Sequence, residues 1–487
     1  MYIRKIRSRR STCFQIGEKI SGRFVVRKHA GCATTPEEIE ALFLKAKQIL
    51  QALRFEHQIP LLPVPSPVRA IRLSWHITGY HTFFGSVYDR IGFPPRTLLR
   101  DLVVARIVHP ASKCATLRYL NRELGVPLEK NQLFRFLDTL SKDDLSKIAY
   151  TFVSARHPGG ITVCFYDVTT LHFETPREDD VRQKGFSKNH RSDVPQILIG
   201  LFVDEDGFPF DFQFYEGHTF EGHTFQDAVT GIRRKYPLPA LTVVADAGML
   251  SEDNLAYLEQ KNISYIVGAR IKHLPAPLTA SILAHDYTTE PIFQAAVTPR
   301  RFMVDYAAAR AKLDAANRKK IVDTLTRRIK QRIPVVRKSK YITVSGTQSV
   351  TGIDRKKVSD DARFDGLKGY VTNTDNSLEA AKVITQYHRL WQVEKSFRMS
   401  KHDLRERPIF HRLKERIEAH LTLCFVSLLV LREAERLLKT VHLSPEQAIE
   451  HLGAAGEGTV RVGSVVIPMD SEPDPTVQVI HTLLSGH

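Results

Sequence analysis

The chain has 487 residues, 43% hydrophobic and 25% charged. That is an ordinary globular composition, but the chain is too long for one core, so two or three domains are expected. Its 70 Lys and Arg against 53 Asp and Glu leave a net charge of +17, which favours a polyanionic partner, nucleic acid before an anionic membrane surface. The longest apolar run, Leu421 to Leu431, is too short to span a bilayer, and the Arg-rich N-terminus lacks the apolar core of a secretory signal. Five scattered cysteines with no Cys-x-x-Cys pair argue against a structural zinc site or a disulfide scaffold, so a cytoplasmic location is expected.

The first segment, 1–68, begins with alternating basic and apolar residues at 2–28, which predicts a small basic β-hairpin; a helix at 36–53 follows, then a linker carrying Pro60, Pro63, Pro65 and Pro67. Residues 1–30 hold nine Lys or Arg and one acid. Segment 69–156 reads as helical. Two short amphipathic helices separated at Gly125 form either a helix-turn-helix, with the helix near Asn131 to Leu140 on DNA, or a plain packing pair. Segment 157–270 alternates β-type runs with helices in the order β-β-β-α-β-α-β, a mixed α/β sheet. Asp204 and Asp206 in its "DEDG" read as turn formers, and His218 and His223 in the tandem "EGHTFEGHTF" as loop residues rather than metal ligands.

Segment 271–370 interrupts that pattern with a basic insertion of 20 Lys or Arg against nine acids, including a helix over Asp305 to Ile333. Segment 371–440 carries a long helix over 376–401 and an apolar helix at about 412–437. Segment 441–487 reads as a loose tail after Gly453.

Two apolar runs, "ITVCFYD" and "LTVVAD", stop at an aspartate, Asp167 and Asp246, on strands expected side by side. Carboxylates at such strand ends face the edge where α/β sheets bind ligands. Two adjacent carboxylates repel unless a cation lies between them, and an oxygen-only donor set suits Mg²⁺ or Mn²⁺. Two such ions roughly 4 Å apart stabilise an in-line displacement at phosphorus. A third carboxylate is supplied by "YHRLWQVEKSFRMSK". On one helix, Tyr387, Trp391, Glu394, Arg398 and Lys401 share a face, beside an apolar stripe of Leu390, Val393, Phe397 and Leu404 that would pack on a sheet.

Asp167, Asp246 and Glu394 together resemble the acidic triad of DDE transposases with an RNase H-like fold. Tyr387, Glu394 and Lys401 are similar to the Tyr-Arg-Glu-Lys signature of a large group of bacterial insertion-sequence transposases, which also carries a long insertion before its Glu. "GFSKNHRSDVPQ", "ADAGMLS" and "DARFDGLKGYVTN" resemble segments of one of its subfamilies. The signature arginine position holds Leu390. Arg389 points away from the Glu394 face, and Arg398 is the candidate substitute. The resemblance implies an RNase H-like catalytic domain split over 157–270 and 371–440. It also implies two Mg²⁺ or Mn²⁺ ions on Asp167, Asp246 and Glu394, and DNA contacts from Tyr387, Trp391, Arg398, Lys401 and Arg389. The partners it implies are double-stranded element ends and target DNA, bound by a nucleoid-associated homodimer with no membrane contact. A nuclease that never joins strands and an inactive DNA-binding relative are the alternatives.

Overall fold

The computed structural model describes all residues except 9–10, 57–69, 176, 186–193, 220, 239, 250, 332, 334, 336–339, 345–349, 376–377, 408, 473 and 486–487. The proline-rich linker and most of "GFSKNHRSDVPQ" lie outside the described residues. The chain divides into two units, Met1–Ile71 with Arg461–Ile467, and Arg72–Val460 with Pro468–His487.

The first unit opens with three antiparallel strands, β1 (Tyr2–Arg7), β2 (Thr12–Ile20) and β3 (Arg23–Ala33), followed by α1 (Pro36–Glu56). The expected hairpin therefore gains a strand. Ser21 and Gly22 both have positive φ (48° and 81°) and close a two-residue turn of the twist that antiparallel strands favour. Phe14, Ile16, Ala30 and Ala46 form a small core with Leu42 and Phe43. The register sets Cys13 directly opposite Cys32, and the two form a disulfide. The spacing of the cysteines gave no hint of it, because cross-strand pairing is a property of register.

After β4 (Ala70–Ile77), the second unit forms a helical layer: α2 (Ser86–Ile91), α3 (Leu98–Val108), α4 (Lys113–Glu123), α5 (Lys130–Leu137) and α6 (Lys142–Ser154). Gly125, at φ 65°, makes the left-handed turn between α4 and α5. The alternating elements follow: β5 (Val163–His172), β6 (Gln196–Val203), β7 (Pro209–Glu216), α7 (Glu221–Lys235), β8 (Thr242–Ala245), α8 (Glu252–Gln260) and β9 (Ser264–Ala269). Next come α9 (Ala276–Ala284), β10 (Ile292–Val297), β11 (Arg300–Tyr306), α10 (Ala308–Lys330), β12 (Ile342–Val344), β13 (Val350–Ile353), α11 (Arg355–Ala362) and β14 (Leu367–Thr372).

The central sheet has eight strands in the order β10-β11-β14-β9-β8-β5-β6-β7. Pairs β5/β8 and β8/β9 are parallel and the others antiparallel, so the sheet is mixed. The basic stretch 271–370 is less separate than its composition suggests. Its β10, β11 and β14 extend this sheet, and Asp305 ends a strand rather than opening a helix.

The long helix expected over 376–401 is broken into α12 (Ala380–His388) and α13 (Trp391–Arg398), and a π-helical turn continues it over Met399–Asp403. Next, α14 (Lys414–Lys439) is buried along most of its length and packs on α3, α6 and β7. The tail is ordered, with α15 (Pro445–Leu452), β15 (Gly456–Val462), β16 (Val465–Asp470) and α16 (Pro475–Ser485). Val477 and Ile480 bury in the main core, which the Gly- and Pro-bearing composition concealed. Among the described residues no helix is long and apolar enough to cross a membrane.

Candidate active site

β5 is rich in β-branched and aromatic residues, as a central strand covered on both faces requires. Only Asp167 and Thr169 within it are partly exposed; two residues apart, they share one face of the sheet. The parallel register pairs Phe165 with Val244, and β8 then ends at Ala245, directly before Asp246. The strand end at Asp167 is thus its neighbour's: β5 runs on to His172, and Asp167 stands where β8 stops covering it. Asp246 is exposed, followed by a 3₁₀ turn over Ala247–Met249 whose Ala247 carbonyl accepts a hydrogen bond from Arg270 at 3.2 Å.

Tyr387, the last buried residue of α12, reaches this edge. Its hydroxyl donates to Asp246 Oδ1 at 3.3 Å. Burial, with Asp246 in contact and Glu394 and Asp167 in range, pushes the hydroxyl's pKa above the usual tyrosine value. Asp246 alone meets the phenol directly; Glu394 and Asp167 act on it through their charge. Gly268 on β9 makes room for it: a Cβ there would lie 2.5 Å from the Tyr387 hydroxyl.

Glu394 is exposed on α13, one turn beyond the break at Arg389 and Leu390. Lys401, on the π-helical turn, donates to Thr169 Oγ1, on the same strand face as Asp167. Sequence reading missed Lys368 on β14. Its ammonium sits 4.7 Å from the centroid of the Tyr387 ring and within the field of Asp246 and Glu394. Burial and nearby Arg310 lower its pKa, against the pull of Asp305, Asp246 and Glu394. Its only signal was membership of "DARFDGLKGYVTN"; nothing local shows that β14 lies beside β9.

The remaining candidates lie elsewhere. Arg389 pairs with Glu205 at 2.6 Å. Arg398 is exposed and lines a cleft with Asp403, Glu435 and Glu446. Leu390, at the signature arginine position, is buried. Trp391 is 52% exposed and lines a different cleft with Arg156, Lys395 and Arg432. Asp204 holds its turn by accepting from the amides of Asp206 and Phe208 at 3.1 and 2.7 Å, and its other oxygen meets His157 Nε2 at 2.8 Å. His218 is exposed, 3.8 Å from Glu216, and the side chain of His223 lies outside the described residues.

A family profile described as a transposase DDE domain matches residues 158–430, more than half of the chain. The chain belongs to that family. No curated protein matches it. Among solved structures, the transposase is similar to a cryo-EM piggyBac transposase synaptic complex with hairpin DNA. The identity is 11% and the TM-score 0.38, over 77% of this chain and 76% of that one. It is also similar to a Mos1 transposase paired-end complex with left transposon end, at 12% identity and a TM-score of 0.16, over 48% of this chain and 67% of that one.

The donor chemistry of the transposase fits hard divalent cations. Asp167, Asp246 and Glu394 offer carboxylate oxygens, with no thiol or imidazole among them, and the exposure of Asp246 and Glu394 leaves room for water and phosphate oxygens. Two tighter groups, in which three ligand atoms lie within 4.8 Å of one another, are found among the described residues: Cys13, His29 and Cys32, and His157, Asp204 and Asp206. The sulfurs of Cys13 and Cys32 are already joined in a disulfide, and Asp204 already spends its oxygens on hydrogen bonds, so neither group suits phosphoryl chemistry.

Proposed function

We propose that this transposase binds the terminal inverted repeats of its own insertion sequence in double-stranded DNA and catalyses strand cleavage and strand transfer there. The observation that supports it is the transposase DDE domain match over 158–430, with Asp167 and Asp246 on the neighbouring parallel strands β5 and β8 and the Tyr387 hydroxyl on Asp246. Those carboxylates would hold two Mg²⁺ or Mn²⁺ ions, which, when bound, activate the attacking oxygen and stabilise the leaving one in an in-line displacement at phosphorus.

The chain's own residues do the positioning. Tyr387 fixes the Asp246 carboxylate. Lys401 on Thr169, and Lys368 beside Tyr387, set positive charge near the carboxylates, where scissile and flanking phosphates would lie. Hydrolysis of one strand frees a 3′-hydroxyl at the element end and leaves a 5′-phosphate on the other side of the cut. The 3′-hydroxyl then attacks a target phosphodiester in the same site and releases a second 3′-hydroxyl.

The sheet order is compatible with an RNase H-like catalytic core. Tyr387, Glu394 and Lys401 support membership of the Tyr-Arg-Glu-Lys group, although the buried Leu390 does not do the work of its arginine. The helical region 69–156 would grip DNA through the exposed face of α5, with Lys130, Asn131 and Arg135. Because two ends must be joined, the working form is a homodimer, acting at the nucleoid.

The decisive experiment compares Asp167→Asn, Asp246→Asn and Glu394→Gln on end DNA. Each should abolish Mg²⁺-dependent cleavage while leaving binding within about threefold. Near-normal cleavage by any one removes that residue from the site. Cleavage without joining would identify a nuclease, and binding without cleavage by the unmodified chain a DNA-binding relative.

A further inference from the structure

The second unit contains a cavity of about 710 Å³ between α3, α4, α5, α14 and the segment that joins the π-helical turn to α14. Among the described residues six cations line it, Arg106, Lys113, Arg405, Arg407, Arg412 and Arg416, and no acidic side chain does. The carboxylate among the described residues that hydrogen-bonds one of them is Asp138, which takes Arg416 at 3.0 Å outside the lining.

At the bottom is Lys113, 6% exposed. Its ammonium lies 3.2 Å from His420 Nδ1, and His420 Nε2 lies 2.9 Å from the Glu406 carbonyl. A carbonyl only accepts, so Nε2 carries the imidazole proton and Nδ1 accepts from Lys113. Both groups are buried, and His420 is consequently neutral. Beside them Arg106, also buried, spends a donor on the Leu404 carbonyl at 3.3 Å. Burial, and then the charge of Arg106, drives the Lys113 pKa well below its usual value, and burial followed by Lys113 and Arg106 lowers that of His420.

A buried ammonium costs stability unless a counter-charge meets it. Here the neighbours of Lys113 are a second cation, a neutral ring, the Cys424 thiol and the N-terminus of α4, whose dipole repels cations and attracts anions; the buried Glu406 carboxylate, bonded by Ser400 at 2.7 Å, faces Arg106 and Arg407 instead. At the mouth, Arg405 is held at φ 44°, a conformation a non-glycine residue adopts at some energetic cost. Phe410 and Leu413 are exposed there, and Phe134 lies in the wall with the Arg416 guanidinium 5.3 Å from its ring centroid.

We propose that this cavity is a second nucleic-acid contact, distinct from the carboxylate cluster, that takes a phosphate group of DNA between Lys113, Arg106 and the α4 N-terminus, with the attached nucleoside against Phe134 and Phe410. The anion supplies a counter-charge to Lys113, which Glu406, facing Arg106 and Arg407, does not. The assignment rests on the transposase reading for the identity of the polymer and on the cavity alone for the phosphate.

The test uses the full chain and two probes, inorganic phosphate and a short duplex DNA carrying the element end. At constant ionic strength, inorganic phosphate should raise the Tm of the unmodified protein saturably, whereas chloride should not. Lys113→Met keeps length and apolar stem, should leave the Tm without phosphate unchanged or higher, and should abolish the phosphate response. Its Kd for the duplex should rise at least about tenfold, and its slope of log K against log salt should fall by about 0.9. Arg412→Gln, exposed at the mouth, should weaken both responses in the same sense, and it decides the matter if Lys113→Met does not fold. Absence of a saturable phosphate response overturns the site. A phosphate response lost in Lys113→Met with duplex affinity unchanged would give the cavity to a free anion and overturn the DNA assignment. Neither result depends on cleavage, so a failure of the proposed chemistry is read separately.

Discussion

The Tyr387 hydroxyl hydrogen-bonds Asp246 at 3.3 Å across 141 residues of sequence, and it can do so because position 268 on the intervening strand carries no side chain. An alanine Cβ at Gly268 would lie 2.5 Å from the hydroxyl and 3.3 Å from Ala247 Cβ, so Tyr387 would have to withdraw. A hydrogen bond to a carboxylate contributes about 1.5–3 kcal/mol. Tyr387→Phe should therefore slow cleavage of end DNA at least about tenfold with little change in Tm. Gly268→Ala should slow it comparably and cost about 1–3 kcal/mol of stability through overpacking. Full cleavage by Tyr387→Phe would leave Tyr387 as packing alone.

The same pair marks what the sequence could convey. Asp167 and Asp246 were legible because each ends an apolar run, and the β-β-β-α-β order makes their strands neighbours, as the parallel register of β5 and β8 shows. The exposed face of Glu394 was legible from the apolar stripe of Val393 and Phe397, which the fold buries. Lys368 was not, since β14 reaches β9 only by pairing across about a hundred residues. The break after His388 was hidden too: neither Arg389 nor Leu390 is a helix breaker, yet Arg389 turns outward to Glu205 and Leu390 turns inward to the core. The Cys13–Cys32 bond and the ordered tail depend on register and distant packing, which composition does not encode.

The first unit should contribute to DNA affinity through charge. Lys19, Arg23 and Lys28 are exposed on β2 and β3. Replacing all three with Gln should reduce the slope of log K against log salt by about 0.9 for each phosphate no longer neutralised, up to about 2.7. Circular dichroism should remain unchanged, because none of the three is buried. An unaltered slope would mean that this charge serves solvation alone.

Stability should fall in mild acid because of buried neutral histidines. Arg100 lies 3.1 Å from His81 Nδ1, closer than Asp101 at 3.7 Å, and burial followed by that guanidinium lowers the His81 pKa to about 4. Burial, with Lys113 and Arg416 near, likewise lowers His411 to about 4. Unfolded, both would titrate near 6.5. Between those values the unfolded chain binds more protons, so stability is fully present above about pH 6.5 and is lost towards pH 4, at up to about 1.4 kcal/mol per pH unit for each histidine. Urea midpoints measured from pH 7 to 4 should follow that decline, and His81→Gln should flatten it only in part, because the buried His420 is lowered as well. A midpoint rising on acidification would mean that these rings are charged in the fold.

Trp391 offers a last test of how the strand end is handled. It stands three residues before Glu394, yet 52% of it is exposed, and its cleft of about 810 Å³ is also lined by Arg156, Lys395, Arg432 and Lys439. A large ring left that open at the start of a helix contributes little to the core. Asp206 and Glu435 line the same cleft, and Lys395 and Arg432 pair with Glu435, so the open ring rather than net charge offers a stacking platform for an unpaired base, a contact of about 1–3 kcal/mol. If ends are splayed before cutting, Trp391→Ala should slow processing of fully paired ends about tenfold or more. Ends whose terminal pairs are already mismatched should be cut at nearly the normal rate, because their separation no longer needs the ring. The Tm should move by less than about 1 kcal/mol equivalent, as for an exposed position. Equal slowing on both substrates would place the ring's role in general binding, and a large loss of Tm would return it to packing.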